Sequence, residues 1–399
     1  MEKEKIKSID LFCGCGGISA GLKMAGCQIL CGVDIEPKCI TTFSHNFSEA
    51  RSLLLDISEV PAGEFMGLVG IDSEELDLLV GGPPCQGFSK NVPRKFRYLD
   101  DPNNRLIKAF LDYCGTLKPK LILMENVAEM KNGFDEAYTE EILTCLSREG
   151  YAVNYTVLNS ADYGIPQRRR RAFFLASRDG NELDLPPPTH FQPSRQMDLL
   201  PQPHHVTVWE AIGDLPSIKN GEGNEYCEYA CPPFSEYQKL IRGQNKKVRN
   251  HMARYLKPTQ YQRLASLQPG QGHKDLPKNL QVRGGYSGAY GRLTKDMIAP
   301  TITRWVFHPG SGRWGHPVDT RILTIREAAR IQGFPDHFEF VGTYTQQAGQ
   351  LGNAVPPLLI KIIAESIISQ LGKSTPDNSF TNLSRDILSS SVGKLKVTT

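Results

Sequence analysis

Cys85 stands in the segment Gly81-Gly82-Pro83-Pro84-Cys85-Gln86-Gly87-Phe88-Ser89, directly after the apolar run at 76–80. A free cysteine most often packs as a small, inert hydrophobe. Here two prolines stiffen the approach, two glycines let backbone come close to a ligand, and Gln86 and Ser89 follow as polar residues. Burial alone asks for none of these, so Cys85 is the candidate nucleophile. A second group is Glu125, which opens Glu125-Asn126-Val127 after the apolar run at 121–124. The plain alternative is a solvated loop acid, but a partly desolvated glutamic acid can hold a proton and hand it to a ring nitrogen. A third group lies in Gln167-Arg168-Arg169-Arg170-Arg171, ahead of the apolar residues 172–176. Alternate side chains share a strand face, which sets Arg169 and Arg171 together with Gln167. Two guanidiniums on one face suit an anionic or carbonyl-bearing substrate, with a basic edge strand as the plain alternative.

Such groups need a scaffold that gathers strand ends. Residues 6–12 read as a strand, 19–25 as a helix and 29–33 as a second strand. Short buried strands follow at 53–55, 76–80 and 121–124, with a helix over 106–117 and a closing strand pair at 155–158 and 171–176. This alternation predicts a doubly wound α/β sheet, in which ligands bind beyond the carboxyl ends of the strands. The first strand runs into Cys13-Gly14-Cys15-Gly16-Gly17 and then a helix, a turn that lets backbone amides meet a ligand at a helix N-terminus. Asp34, at the tip of the second strand, is placed to hydrogen-bond a ribose diol, and Asp56, at the tip of the third, to read an adenine edge. These features favour an adenosine-containing cofactor without separating a nicotinamide dinucleotide from S-adenosylmethionine.

The 399 residues allow two domains, and 40% hydrophobic with 22% charged residues is ordinary globular usage. No run approaches 18 apolar residues, which argues against a membrane span, and the charged start Met1-Glu2-Lys3-Glu4-Lys5 does not fit a signal peptide. Ten cysteines without a compact framework suggest reduced thiols. From Pro186 onward Pro and Gly become frequent and periodicity fades until about residue 320; helices return at 325–332 and 357–371. The expected organisation is a catalytic and cofactor-binding domain over 1–185, a smaller irregular domain over 186–346 and a segment over 347–372 that returns to the first. Residues 373–399, rich in Ser, Thr, Asn and Lys, are expected to be a disordered tail.

Six motifs occur in one order: Asp10-Leu11-Phe12-Cys13-Gly14-Cys15-Gly16-Gly17, Gly82-Pro83-Pro84-Cys85-Gln86, Glu125-Asn126-Val127, the Gln167–Arg171 run, Arg326-Glu327-Ala328-Ala329-Arg330-Ile331-Gln332-Gly333-Phe334-Pro335, and Gly352-Asn353-Ala354-Val355-Pro356-Pro357. Together they resemble the motif set of the cytosine-C5 DNA methyltransferase family, from residue 8 to about residue 370. The resemblance implies a Rossmann-like methyltransferase sheet with a target-recognition domain, S-adenosyl-L-methionine as cofactor and double-stranded DNA as partner. It implies that Cys85 adds to carbon 6 of a flipped-out cytosine, that Glu125 hydrogen-bonds N3 and the amino group, and that Arg169 and Arg171 orient the base. Phe12, Gly14, Gly16, Gly17, Asp34, Ile35, Asp56, Ile57, Pro84, Leu106, Asn353 and Ala354 would form the cofactor pocket. The sequence departs from the family at Asn103 and Asn104, where a basic residue is common, and at Ala354, where some members carry serine. A compact chain of this type resembles a bacterial or phage modification enzyme: monomeric, cytoplasmic and nucleoid-associated, with a cognate restriction endonuclease as a further partner.

In the family the region between the Arg-rich strand and the 326–335 motif reads the DNA sequence. Here it contains an acid-free stretch from Tyr237 to Lys274 with nine cations: Lys239, Arg242, Lys246, Lys247, Arg249, Arg254, Lys257, Arg263 and Lys274. These are candidate phosphate contacts, the plain alternative being a solvated basic face. Arg283-Gly284-Gly285-Tyr286 and Tyr290-Gly291-Arg292-Leu293 are candidate base-edge or backbone contacts, and Ala299-Pro300-Thr301-Ile302-Thr303 resembles an element flanking target recognition. Cys227, Cys231, His204 and His205 raise a zinc reading, but the adjacent histidines are poorly separated for two ligands, and no metal is expected. Three rivals remain: a transfer-RNA cytosine-C5 methyltransferase on the same scaffold, an inactive DNA-binding relative and a nicotinamide oxidoreductase. The first lacks its usual Cys-Phe-Thr signature here, the second is opposed by the intact Cys85, Glu125, Arg169 and Arg171, and the third rests only on the glycine turn and Asp34.

Overall fold

The computed structural model describes residues 5–84, 105–128, 134–192, 203–282 and 288–371. The first half alternates β1 (Lys7–Leu11), α1 (Gly17–Met24), β2 (Gln28–Asp34), α2 (Pro37–Asn46), β3 (Arg51–Leu54), α3 (Ala62–Val69), β4 (Leu78–Gly81), α4 (Arg105–Leu117), β5 (Leu121–Val127), α5 (Phe134–Arg148) and β6 (Ala152–Asn159). A two-residue strand, β7 (Gln167–Arg168), precedes β8 (Arg170–Ser177). Seven strands form one sheet in the order β3-β2-β1-β4-β5-β8-β6, with β1 to β5 parallel and β8 antiparallel to both neighbours. The order reverses between β2 and β4 on either side of β1, which opens a ligand crevice beyond the end of β1.

Sequence chemistry explains the local choices. Helix α4 buries Ile107, Phe110, Tyr113, Cys114 and Leu117, a spacing of three and four that keeps one apolar face on the sheet. Helix α2 carries Pro37 in its first turn, where the missing N–H costs nothing. Helices α2, α3 and α5 are not evident as periodic stretches in the sequence; α3 carries two internal glycines and forms by docking Phe65 and Val69. Glu125, expected just past a strand, lies within β5, because pairing with β8 carries that ladder on to Val127↔Arg171.

One sheet face packs on α3, α4 and α5 through Phe65, Phe110, Ile142 and Leu146. The other is covered by α1 and α2, and its apolar core runs without a break into the region beyond residue 203. That region holds the short helices α6 (Val208–Ile212), α7 (Glu236–Arg242), α8 (Pro258–Ala265) and α9 (Ile325–Ile331), and the strands β9 (Tyr226–Glu228), β10 (Lys247–Arg249) and β11 (Ala299–Pro300), the last beside β7. Helix α9 is its hub. Thr324 and Glu327 form a capping box at its start. Arg321 meets both Glu327 oxygens at 2.8 Å, and fully buried Arg330 joins Asp336 at 2.7 Å and Asp214.

Helices α10 (Tyr344–Asn353) and α11 (Pro357–Gln370) return to the sheet. The stretch Tyr344–Gln370 is long and apolar enough to cross a membrane by composition, with mean hydropathy 1.5, yet 67% of its apolar window is buried in the fold. A β-carbon on Gly21 of α1 would lie 2.4 Å from the Pro357 carbonyl, so glycine permits the close approach of α11 to α1.

Candidate active site

The turn after β1 is shaped by backbone conformations that side chains resist. Phe12 has φ +62°, Gly14 +54° and Gly16, at the start of α1, +99°. The three glycines do different work. A β-carbon on Gly14 would meet nothing within 4 Å, which leaves open space in front of the turn. On Gly16 it would strike the Phe47 ring at 2.4 Å, and on Gly17 the Val355 carbonyl at 2.5 Å. Gly16 and Gly17 therefore let α1 pack closely as well as open a helix N-terminus. Asp34, at the end of β2, accepts the Gly14 N–H at 2.9 Å through one oxygen and the Glu36 N–H at 2.8 Å through the other. Burial raises its pKa above the usual carboxylate range. Beside it the apolar side chain of Ile35 is 65% exposed.

Asp56 accepts from the Ser58 N–H at 2.9 Å and the Ser58 hydroxyl at 2.6 Å, which lowers its pKa. Arg105 stands 3.6 Å from its other oxygen. Ile57 is buried in the core, whereas Leu106 and Pro84 are half-buried. Asn353 is exposed at the end of α10 and Ala354 follows, buried. The open space at Gly14, a strand-end acid and an exposed aliphatic residue fit an adenosyl group with its ribose diol.

Across the switch point, Glu125 is buried near the end of β5. Its Oε1 lies 2.9 Å from Arg171 Nε, but no hydrogen bond is aligned onto that oxygen, so accepting capacity is left over. A β-carbon on Gly82 would sit 3.2 Å from the other oxygen, so glycine lets the Gly-Pro-Pro backbone pass close above the carboxylate. The Asn126 amide donates to the Pro83 carbonyl at 3.2 Å and fixes that passage. Cys85 itself, with Asn103 and Asn104, lies outside the described residues.

Arg169 and Arg171 are neighbours with different partners. Arg171 faces Glu125. Arg169, 2% exposed, donates to the carbonyls of Ile302 (3.2 Å), Gly352 (3.5 Å) and Ala354 (3.0 Å), while its Nε finds no partner. Burial and the Arg171 charge push its pKa well below the usual arginine value. Gln167 extends the clamp. Its Oε1 accepts the Ile302 N–H at 2.7 Å and its amide donates to Gln332 at 2.6 Å, while Gln332 donates to Ala354 O at 2.7 Å. Arg169 is thus a positioning residue that binds residues 302 and 352–354 to the strand carrying Arg171. Gln332 and Asn126 join the site without having been singled out; their only sequence signal is their place inside two of the motifs.

Several candidate DNA contacts turn inward. Arg292 spends its donors on the carbonyls of Leu267, His316, Val318 and Asp319, and Tyr290 is buried against Arg263, so neither is free for a base edge. Within the acid-free stretch, Arg242 joins Asp214, Arg249 joins Glu225 and Glu339, Arg254 donates to Phe307 O and Arg263 to Leu280 O. Those arginines have no acid nearby in sequence because their partners are carbonyls or acids distant in the chain. Lys246, Lys247, Lys257 and Lys274 remain exposed. Residues 283–286 lie outside the described residues. The histidines of the zinc reading face acids, His204 on Glu210 at 3.3 Å and His205 on Asp162 at 3.0 Å. Among the described residues no group of three or more His, Cys, Asp or Glu is arranged to hold a metal.

Comparison with known proteins gives a consistent result. A family model described as C-5 cytosine-specific DNA methylase matches residues 6–369. The chain is 34% identical over 363 residues to the type II methyltransferase M1.HphI of Haemophilus parahaemolyticus, covering 90% of this chain and 86% of that protein. It is 33% identical over 379 residues to the type II methyltransferase M.DdeI of Desulfomicrobium norvegicum, covering 90% and 88%. Among solved structures, a DNA modification methyltransferase encoded within an Escherichia coli prophage superposes with a TM-score of 0.74 at 26% identity, over 92% of this chain and all of the other.

Proposed function

Since the chain belongs to the C-5 cytosine-specific DNA methylase family, we propose that it methylates carbon 5 of a cytosine extruded from duplex DNA through a covalent adduct with Cys85. The observation that carries this reading is the pairing of Glu125 with Arg171 beneath Gly82-Pro83-Pro84, the backbone that leads to Cys85. Cytosine is a poor nucleophile at carbon 5, and a covalent step divides the barrier. The Cys85 thiolate adds to carbon 6 and pushes electrons toward N3. Glu125 hydrogen-bonds N3 and the exocyclic amino group and stabilises the charge gathering there, held in place by Arg171. Carbon 5 then forms the new carbon–carbon bond as the methyl donor's sulfur–carbon bond breaks and a neutral thioether leaves. Loss of the carbon 5 proton returns its electron pair to the ring, the C5–C6 double bond re-forms and the thiolate leaves.

S-adenosylmethionine, the cofactor this family uses, supplies the activated methyl group when bound. Asp34 would take the ribose hydroxyls, Ile35 would cover the adenine, Asp56 and Ile57 would bound its edge, and Phe12, Gly14, Gly16 and Gly17 would face the remainder. Pro84, Leu106, Asn353 and Ala354 would close the pocket. The target carbon is inaccessible inside a duplex, so the base must leave the stack. Residues 186–346 are assigned to target recognition and 347–372 to completing the cofactor side. The likeness to type II enzymes supports a modification role with a restriction endonuclease as counterpart.

Transfer of radiolabelled methyl groups tests the reaction, with duplex DNA and transfer RNA as alternative acceptors and bisulfite sequencing to map the modified cytosine. Label in duplex DNA is expected; label in RNA alone overturns the proposal. Cys85→Ser is expected to lose turnover and keep S-adenosylmethionine binding, and near-normal turnover removes Cys85 from its role.

A further inference from the structure

Trp305 is 49% exposed, while of the other two tryptophans Trp314 is buried and Trp209 half-buried. Exposure here does not reflect a loose segment. The Trp305 carbonyl accepts the His308 N–H at 2.9 Å and the Ser311 hydroxyl at 2.6 Å, and its own N–H reaches the Thr303 hydroxyl at 3.3 Å. The next residues, Val306 and Phe307, are buried, and the Phe307 ring sits 5.5 Å from the indole. A firmly held turn thus presents a large aromatic ring to solvent at an apolar cost the fold does not need.

The position of this turn is set by the catalytic clamp. Gly352 abuts it so closely that a β-carbon there would lie 2.0 Å from the Arg304 nitrogen and 2.2 Å from the Thr303 carbonyl carbon. Arg169 holds Ile302 and Gly352 together from behind. The Arg304 guanidinium lies over the Trp305 ring, 5.0 Å from its centroid, and among the described residues it has no carboxylate partner. That sets it apart from Arg242, Arg249, Arg254, Arg263, Arg292, Arg321, Arg326 and Arg330, all engaged internally. Thr301 also donates to the Arg168 carbonyl at 2.6 Å, so exposed Arg168 flanks the same turn.

We propose that Arg304 and Trp305 form a DNA-contacting lip at the mouth of the catalytic crevice, the indole stacking on the strand beside the extruded cytosine and the guanidinium taking a phosphate of that strand. The inference rests on the reading of the chain as a duplex DNA methyltransferase. Extrusion unstacks the neighbouring bases, and a rigid ring beside the gap recovers part of that lost stacking. A guanidinium already lying on the ring has its donors aimed outward in the planar form that phosphate prefers. Both residues act on binding and extrusion and leave bond making to the groups behind them.

The test uses the full-length enzyme and duplex oligonucleotides containing the methylated site, with 2-aminopurine at the target position to report extrusion. Trp305→Ala is expected to reduce the fluorescence gain and to weaken binding about tenfold, as loss of one base–aromatic stack does. Trp305→Phe should restore most of both, and S-adenosylmethionine affinity should stay within twofold of wild type. Arg304→Ala should make the plot of log affinity against log salt shallower by about 0.9, the signature of one phosphate contact. An Arg304→Ala slope equal to wild type, or Trp305→Ala with unchanged DNA affinity and fluorescence, overturns the proposal. Should Trp305→Ala be destabilised, the Arg304→Ala slope decides, since that side chain is exposed. Failure of the wild-type enzyme to methylate duplex DNA would instead strike the function on which the inference rests.

Discussion

Replacing Arg169 by methionine separates a clamp from a substrate-binding group. The substitution keeps an apolar stem of similar reach and removes the donors that hold three carbonyls. Ala354 O keeps the Gln332 amide at 2.7 Å. Ile302 O and Gly352 O lose their side-chain donor. Each buried carbonyl left unpaired costs about 1–3 kcal/mol. Relief of a buried guanidinium that sits beside another cation offsets part of this, giving a net loss of about 3 kcal/mol. An unfolding entropy of about 2.1 cal/mol/K per residue gives a 399-residue chain about 0.8 kcal/mol/K. The expected fall in Tm is therefore about 4 °C. Once residues 302–305 and 352–354 drift from the strand bearing Arg171, turnover should fall about 100-fold, the usual consequence of misplacement by about 1 Å. Arg169→Lys should lie between, because one ammonium cannot span the three carbonyls. Differential scanning calorimetry alongside single-turnover methyl transfer measures both. Lost turnover with a Tm within about 1 °C of wild type would refute the clamp and assign Arg169 to the substrate.

Glu125→Gln keeps the shape beside Arg171 but removes the charge and should lower the single-turnover rate by about 10²–10⁴ while S-adenosylmethionine affinity, read by calorimetry, stays within twofold. Asp214→Ala strips buried Arg330 of one of its two acids and should cost about 3–5 kcal/mol in urea denaturation, with duplex DNA still methylated below the transition. Asp10 supplies the pH dependence. It is wholly buried beneath the glycine turn, accepts the Ser19 hydroxyl at 2.6 Å and the Ser19 N–H at 3.2 Å, and leaves its other oxygen unpartnered. Burial pushes its pKa up to about 7. The folded state then holds a proton that the unfolded chain releases near pH 4, so this residue's contribution to stability falls as pH rises from about 4 to about 7. Asp10→Asn should abolish that contribution, and a Tm difference between pH 5 and pH 8 that is unaltered in the variant would contradict it.

How much was legible depended on whether a signal was local. The glycine turn, Asp34 at a strand tip and the Pro-Pro approach to Cys85 are short-range patterns, and the described parts of each fall at the crevice beyond β1 and β4. The sheet followed from alternation of apolar runs. Glu125 was misplaced by a few residues relative to its strand because the length of β5 is fixed by β8, some 50 residues away in sequence. Arg292 and Arg263 looked like DNA contacts because a sequence shows charge but not which carbonyls surround it. The division of labour between Arg169 and Arg171 was equally hidden, since alternation gives a face and not the partner waiting on it. Trp305 carries no signal in the sequence, because its exposure is set by the turn that Gly352 and Ser311 hold in place.

The packing of α11 on α1 carries a consequence for biosynthesis. The glycine turn that faces the cofactor opens α1, and α1 rests on Pro357 and Ile360 through the bare face of Gly21 and on Val355 through Gly17. A growing chain therefore emerges with its first ligand-facing turn lacking its support until residues 354–370 have been made. Translation that stops short of α11 yields a polypeptide carrying every chemical group of the site but no buttress beneath the turn. Methylating capacity is therefore expected only once residues 354–370 have been added beneath the turn.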